Sequence, residues 1–457
     1  MRVLRATLPV VAGLAIFAGT LEAALRIVPR SIPTTVLLRF EPGLRTRIAR
    51  GRFSTHDETI LLERDDGGPK LRVWRPFIDK LYEIDDPGSR RVVTTDEIGF
   101  CNPPGTYRAT PALDLLAIGD SFTWCHAIDA ERTWASLVGR LTGLPSYNLG
   151  RGGQGPYEYV QILKRFGLSR SPRAVMLNVF EGNDLRDSEE FHRFRLDPSG
   201  AEAAPPPGWR GQRLARASYA YNVLRGGIDY LAEHGAQSRL EAEIDFRYRI
   251  GTDEHGTVFN RSQSDREEVL YARRVRAGHI DLALFDEALA SFAELARRHR
   301  FEPIVLYTPS AHTVYREHVS FFDPAIADDL RRFSDAQRRH LATRAADLGY
   351  RFLDLTPHLR AAISGFEPGE LLYFPTTLHY SPPGHEVVAR AVAGLLVEIG
   401  VADPAAVVDG PGDREPAAGR GAGRATPSAD RSTTGGTHGG ASLRLTRPPA
   451  RALGSAA

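Results

Sequence analysis

The sequence predicts an α/β fold built on a parallel sheet, and three observations carry that expectation. Short apolar runs alternate with stretches of helical periodicity between residues 111 and 401, as in sheets whose strands are joined by helices. The runs have strand length, and at least one, Ala174 to Phe180, is apolar enough for a strand buried on both faces. Several of them end in glycine and polar residues, at the carboxyl edge where such sheets place their ligands.

Taken in order, Leu113 to Ile118 reads Leu-Asp-Leu-Leu-Ala-Ile and predicts the first strand, followed by a helix over Glu131 to Leu141. Ala174 to Phe180 is the next clear strand. Phe285 to His299 has helical periodicity, Pro303 to Tyr307 is a strand, Asp328 to Leu348 a long helix, Arg351 to Leu355 a further strand, and Glu386 to Val397 the last helix.

The chain of 457 residues exceeds one ordinary core, and its flanks differ in composition. Residues 29–110 mix strand-like runs, Lys70 to Trp74 and Arg90 to Thr94, with turn residues, and read as an extension packed on the main domain. Residues 188–270 interrupt the alternation with Pro205-Pro206-Pro207, a helical pattern from Gln212 to Leu231 and a charged segment ending near Val275. Beyond residue 402 the chain is rich in Gly, Pro, Ala, Ser, Thr and Arg without apolar periodicity, so residues 402–457 read as a disordered tail.

At the amino terminus, Arg2 and Arg5 precede an uncharged stretch from Ala6 to Leu21. With Glu22 at an interface the stretch reaches the ~20 residues of a membrane span. An uncleaved signal anchor over residues 1–28 is therefore expected, ahead of a cleaved signal peptide and of a buried amphipathic helix. Net charge is +2 with both signs interspersed, so no nucleic-acid partner is expected.

The chemistry gathers at four places. Ile118-Gly119-Asp120-Ser121 puts a serine between a strand and a helix, where a nucleophile would stand. Gly150-Arg151-Gly152-Gly153-Gln154-Gly155 lets backbone N–H groups approach a ligand. Glu181-Gly182-Asn183-Asp184 follows the strand Ala174 to Phe180, and Leu378-His379-Tyr380 precedes the last helix. A hydroxyl, a base and two further donors are what an acyl-transfer site requires.

In these four blocks the chain resembles the SGNH/GDSL hydrolase family, over roughly residues 95 to 400 with one large insertion. The resemblance implies a three-layer α/β/α fold with flavodoxin-like strand order. It implies Ser121 as nucleophile, His379 as base, and Ser121, Gly153 and Asn183 as oxyanion donors. The reaction implied is hydrolysis of an oxygen ester through an acyl-enzyme. Transfer to a sugar hydroxyl by the same residues and a catalytically weakened carbohydrate-binding scaffold are the alternatives. The family usually places an aspartate two or three residues before the histidine, where this chain has Thr376 and Thr377. Three accounts are open: a backbone carbonyl orients His379, a carboxylate such as Glu370 or Asp354 does so, or the activity is weakened or lost. The family with an anchor resembles the membrane-anchored envelope proteins of polysaccharide O-acetylation. An acetylated glycan as substrate, polysaccharide-biosynthesis partners, and a membrane-tethered extracytoplasmic domain, periplasmic or at the cell surface, follow as expectations.

The two cysteines, Cys101 and Cys125, lie before the first strand and four residues after Ser121. In an oxidising compartment they are expected to form a disulfide, the other reading being two buried thiols. His385 reads as structural and His312 as a solvated loop residue. Trp124 and Tyr380, beside the catalytic candidates, read as packing with sugar stacking as the alternative. No ligand spacing resembles a metal site and no phosphate loop is present, so neither metal nor cofactor is expected.

Overall fold

Five runs of the chain form one wholly parallel sheet in the computed structural model, which describes residues 2–32, 36, 40, 44, 59–83, 90–196, 212–228, 245–251, 256–260, 266–363 and 371–406. The strands are β1 (Leu115–Gly119), β2 (Ser146–Asn148), β3 (Ala174–Phe180), β4 (Glu302–Thr308) and β5 (Arg351–Asp354). Their spatial order is β5-β4-β3-β1-β2. Leu115 pairs with Ala174 and Gly119 with Asn178 across β1 and β3, while Thr308 pairs with Phe180 across β4 and β3. The chain leaves β1 toward β2 and then crosses back to β3, so the switch in strand order lies between β1 and β3. Ligand crevices in open α/β sheets form at that point, beyond the carboxyl ends of the strands.

Alternation along each strand explains the three layers. Leu116, Ile118, Val175, Leu177, Val179 and Val305 face a core completed by Tyr159, Leu289, Phe292, Leu330 and Phe333. Leu115, Ala117, Met176, Ile304 and Leu306 face the other, completed by Trp134, Leu137, Val138, Val388, Val392 and Leu396. Helices Pro156–Ile162, Asp286–His299 and Ala327–Leu348 cover the first face, and Trp134–Thr142 with Pro382–Glu398 the second. Both strand faces are dry, which is why β1 and β3 read as nearly unbroken apolar runs. Burying one such side chain contributes about 1.5–3 kcal/mol relative to leaving it exposed.

Among the described residues, the flanking segments build three small antiparallel sheets. Thr59–Leu62 pairs with Leu71–Trp74, and Asp79–Glu83 with Arg90–Thr94. Tyr248–Ile250 pairs with both Thr257–Phe259 and Val319–Phe321, so part of the insertion is stitched to the main domain. Helix Arg266–Arg276 then packs on Ala327–Leu348. Asp96 fastens the amino-terminal extension: its carboxylate accepts from the Phe100 N–H at 3.0 Å and from the Asn102 amide at 2.9 Å, and also from the Tyr147 hydroxyl. Asn102 in turn accepts from the N–H of Asn148, at the end of β2, at 2.8 Å.

The amino-terminal stretch is a helix over Arg2–Ile27, but the expected signal anchor is not supported. Among the described residues no helix is long and apolar enough to cross a membrane. The polar end of this helix is instead tied to protein. Glu22 accepts from the Ser218 hydroxyl and the Ala220 N–H, both at 2.8 Å, and Arg26 donates to the Ala217 carbonyl at 2.6 Å. Residues 219–228 are helical, and a carboxylate at such an amino terminus satisfies free N–H groups. The expected tail lies outside the described residues after residue 406.

Candidate active site

The turn after β1 is fixed by its own residues. Asp120 Oδ1 accepts from the Phe122 N–H at 2.8 Å, and its carbonyl accepts from the N–H groups of Thr123 at 3.2 Å and Trp124 at 2.9 Å. Ser121 is thereby held on a tight turn at the sheet edge. The glycine-rich loop packs directly against it. A Cβ on Gly150 would stand 2.5 Å from the Trp124 nitrogen, so only glycine allows that approach. A Cβ on Gly152 would stand 3.4 Å from that of Ser121. Gly153 adopts φ +72°, and its N–H has no acceptor among the described residues.

His379 reaches Ser121 from a loop that ends at the helix Pro382–Glu398. The Ser121 hydroxyl lies 2.8 Å from His379 Nε2, and the other ring nitrogen, Nδ1, lies 2.6 Å from the Thr377 carbonyl oxygen. A carbonyl can only accept, so the proton of the neutral ring sits on Nδ1 and Nε2 is left to take the serine proton. Leu378 has φ +63°, a left-handed conformation that a leucine adopts at a cost. That turn directs the Thr377 carbonyl to the ring two residues on. The Leu378 N–H donates to the Phe374 carbonyl and the Phe374 N–H to that of His379, both at 2.8 Å, which closes the loop on itself.

Stacked rings surround the imidazole. His126 lies parallel to it at a centroid distance of 3.7 Å, and Phe122 stacks at 4.9 Å. Burial, then the neighbouring His126, hold His379 well below the ordinary histidine value, and burial lowers His126 to about 4. Beneath the serine, Asp120 is fully buried and pushed up to about 7, mainly by burial. Sequence reasoning missed His126, Phe122 and Asp120 as parts of this site. The first two are stacking partners that no spacing reveals.

Asn183 ends the turn after β3 and precedes the helix Asp184–Leu196. Its amide donates to Asp187 Oδ2 at 2.8 Å, one turn along. Asp184 accepts from the Phe180 N–H at 3.0 Å and the Tyr159 hydroxyl at 2.8 Å, and its burial near Asp120 and Asp187 raises it well above the usual carboxylate range.

Of the two carboxylates considered for orienting His379, Glu370 lies outside the described residues. Asp354 is engaged elsewhere: at the end of edge strand β5 it pairs with Arg338 at 2.6 Å and accepts from the Thr356 N–H at 2.9 Å. Cys101 and Cys125 form a disulfide with a Cα separation of 6.0 Å, joining the extension to the nucleophile turn. His385 is buried, and its Nδ1 accepts from the Trp134 N–H at 3.1 Å, tying the last helix to its neighbour. Trp124 and Tyr380 are buried in the core.

His312 is not a solvated loop residue. It is buried, and its Nε2 lies 3.1 Å from Glu268 Oε1. The insertion helix Arg266–Arg276 covers it and supplies that carboxylate. With Glu181, which accepts from Thr313 at 2.6 Å, the three residues offer ligand atoms within 4.8 Å of one another. The sequence showed no such group because its members lie on separate segments.

Fold and site together define a three-layer α/β/α protein with a serine–histidine pair at the switch point of its sheet. Solved structures similar to the chain include a lipolytic protein assigned to the G-D-S-L family from Desulfitobacterium hafniense, at 13% identity over 62% of this chain and 98% of that one, with a TM-score of 0.33. An acetylxylan esterase from Geobacillus stearothermophilus is 16% identical over 63% and 93% of the two chains, with a TM-score of 0.32. A GDSL-like lipase from Bacteroides thetaiotaomicron is 12% identical over 62% and 88%, with a TM-score of 0.29. These are likenesses to the family that the four sequence blocks resemble, and at such scores they carry no argument about activity. No protein-family model matches the chain, and no curated protein does.

Proposed function

We propose that the protein is a serine esterase of the SGNH/GDSL type, acting on an oxygen ester through an acyl-enzyme on Ser121. The observation that carries this reading is the 2.8 Å contact between Ser121 Oγ and His379 Nε2, with Nδ1 held at 2.6 Å by the Thr377 carbonyl. As Oγ attacks the ester carbonyl, Nε2 takes its proton and the carbonyl oxygen becomes an oxyanion. The N–H groups of Ser121 and Gly153 and the Asn183 amide are the donors for that charge. Collapse breaks the bond to the alcohol, which leaves with the proton from Nε2. Water then attacks the acyl-serine by the same route in reverse. A carbonyl dipole in place of a carboxylate still fixes the ring and its tautomer, but offers less to the imidazolium.

The disulfide suits an oxidising compartment, and an O-acetyl group on an envelope glycan is the substrate we propose within this class. A serine-reactive phosphonate and p-nitrophenyl acetate test the reading on the whole chain. A phosphonate adduct mapped to Ser121, with release of nitrophenol that Ser121→Ala abolishes, is the expected result. A folded protein that neither takes the adduct nor cleaves the ester would overturn it.

A further inference from the structure

A cavity of about 700 Å³ lies on the far side of the glycine-rich loop from Ser121, walled by Lys70 and Arg72, by Arg151 to Gly155, and by Asp187, Glu190 and Phe191 of the helix Asp184–Leu196. Its wall at Gly152 backs directly onto Ser121. The acidic groups on this wall are neutralised within the protein: Glu158 pairs with Arg64, Asp187 with Arg186 at 2.7 Å, and Glu190 lies 3.8 Å from Arg186. Two of the basic groups are neutralised likewise, Lys70 by Glu63 and Arg193 by Glu189. Arg72 and Arg151 have no carboxylate partner among the described residues.

Arg151 is the more telling of the two. It is 6% exposed, its guanidinium rests on the Trp74 ring at 3.8 Å, and one Nη donates to the Gly152 carbonyl while Nε has no hydrogen-bond partner. A buried guanidinium without a counter-charge costs folding free energy, and an anionic ligand group would offset that cost. Gln154 on the same wall also keeps a buried, unpartnered Oε1. Polar atoms left open in this way suit a hydroxyl-rich alcohol better than an acyl chain. The planar fork of arginine matches a carboxylate by two parallel hydrogen bonds.

We infer that Arg151 and Arg72 form a subsite for a carboxylate on the alcohol side of the substrate, so that the ester cleaved is an O-acyl group carried by an acidic sugar. The inference rests on the esterase reading for its chemistry, although the subsite binds the anion without turnover.

Acetylated polygalacturonate and acetylated xylan, an acidic and a neutral glycan, test it alongside p-nitrophenyl acetate. The full chain should cleave the acidic polymer with kcat/KM about tenfold above the neutral one, and Arg151→Gln and Arg72→Gln should each lower that ratio through KM. Added salt should lower the ratio in the unaltered protein as well. Equal use of the two polymers, or a ratio that neither variant changes, overturns the subsite. Calorimetric titration of deacetylated oligogalacturonate into Ser121→Ala protein separates this failure from that of the esterase reading. Binding that Arg151→Gln and Arg72→Gln each weaken supports the subsite even without turnover, and no binding overturns it even if p-nitrophenyl acetate is cleaved.

Discussion

His126 lies flat on His379, ring centroids 3.7 Å apart and planes 8° from parallel. The contact holds the base in the orientation that reaches Ser121, and it adds a second group that resists charge beside it. Burial is the larger cause of the lowered His379 value and His126 the next.

The sign of the pH dependence follows. The neutral ring takes the serine proton, and a lowered value keeps the ring neutral to lower pH. The acid limb of kcat/KM for p-nitrophenyl acetate should therefore lie below pH 6.5, the ordinary histidine value. His126→Phe keeps a stacked ring and removes a group that can carry positive charge beside His379, so the limb should move up yet stay below that value. A limb at or above pH 6.5 in the unaltered protein would contradict the buried base.

With its Nδ1 bonded to Thr377, His379 does not depend on Asp354. Asp354→Asn should leave kcat/KM within about twofold and cost about 1.5–3 kcal/mol of stability, because Arg338 loses a charged partner. Urea denaturation and steady-state kinetics on the same variant separate the two effects. A loss of turnover far greater than twofold at full folding would return Asp354 to the catalytic relay.

Much of this arrangement was legible in the sequence, for identifiable reasons. β3 and the helix Ala327–Leu348 were read within a residue, because burial on both faces and long periodicity leave strong patterns. Ser121, Gly153, Asn183 and His379 all stand beside strand or helix ends, where local turn chemistry marks them. The strands Tyr248–Ile250 and Thr257–Phe259 went unread because three residues carry no periodicity. His312 was misjudged because what buries it, Glu268, comes from a helix 44 residues upstream. Glu22 looked like an interfacial residue of a span, yet its partners lie near residue 218, beyond the reach of any local pattern.

The disulfide makes a separate prediction. Cys101 and Cys125 close a loop of sequence separation 24, for which the loss of denatured-state entropy is worth about 3.5 kcal/mol, within the usual 2–4. The paired variant Cys101→Ser with Cys125→Ser should lose about that much stability. It should also lose turnover, since Cys125 stands on the turn that carries Ser121. Free-thiol titration of the denatured, unreduced protein should find none; two alkylated thiols would remove the bridge.

Asn183 offers the sharpest test of the oxyanion donors. A side-chain amide has two N–H donors, and Asp187 takes one at 2.8 Å, which fixes the plane of the group and leaves the second for the substrate. Asn183→Ala should therefore lower kcat by about 10²–10³, the equivalent of about 2.7–4 kcal/mol, with KM nearly unchanged because the charge appears only in the transition state. Asp187→Ala leaves the amide in place but free to turn, so its loss in kcat should be smaller. Arg186 keeps Glu267 and Glu190 as acidic partners, so the cost in stability should be small. If the two variants are equal in kcat, or if Asn183→Ala acts through KM alone, the amide is a binding group and the oxyanion is held by the backbone N–H groups of Ser121 and Gly153.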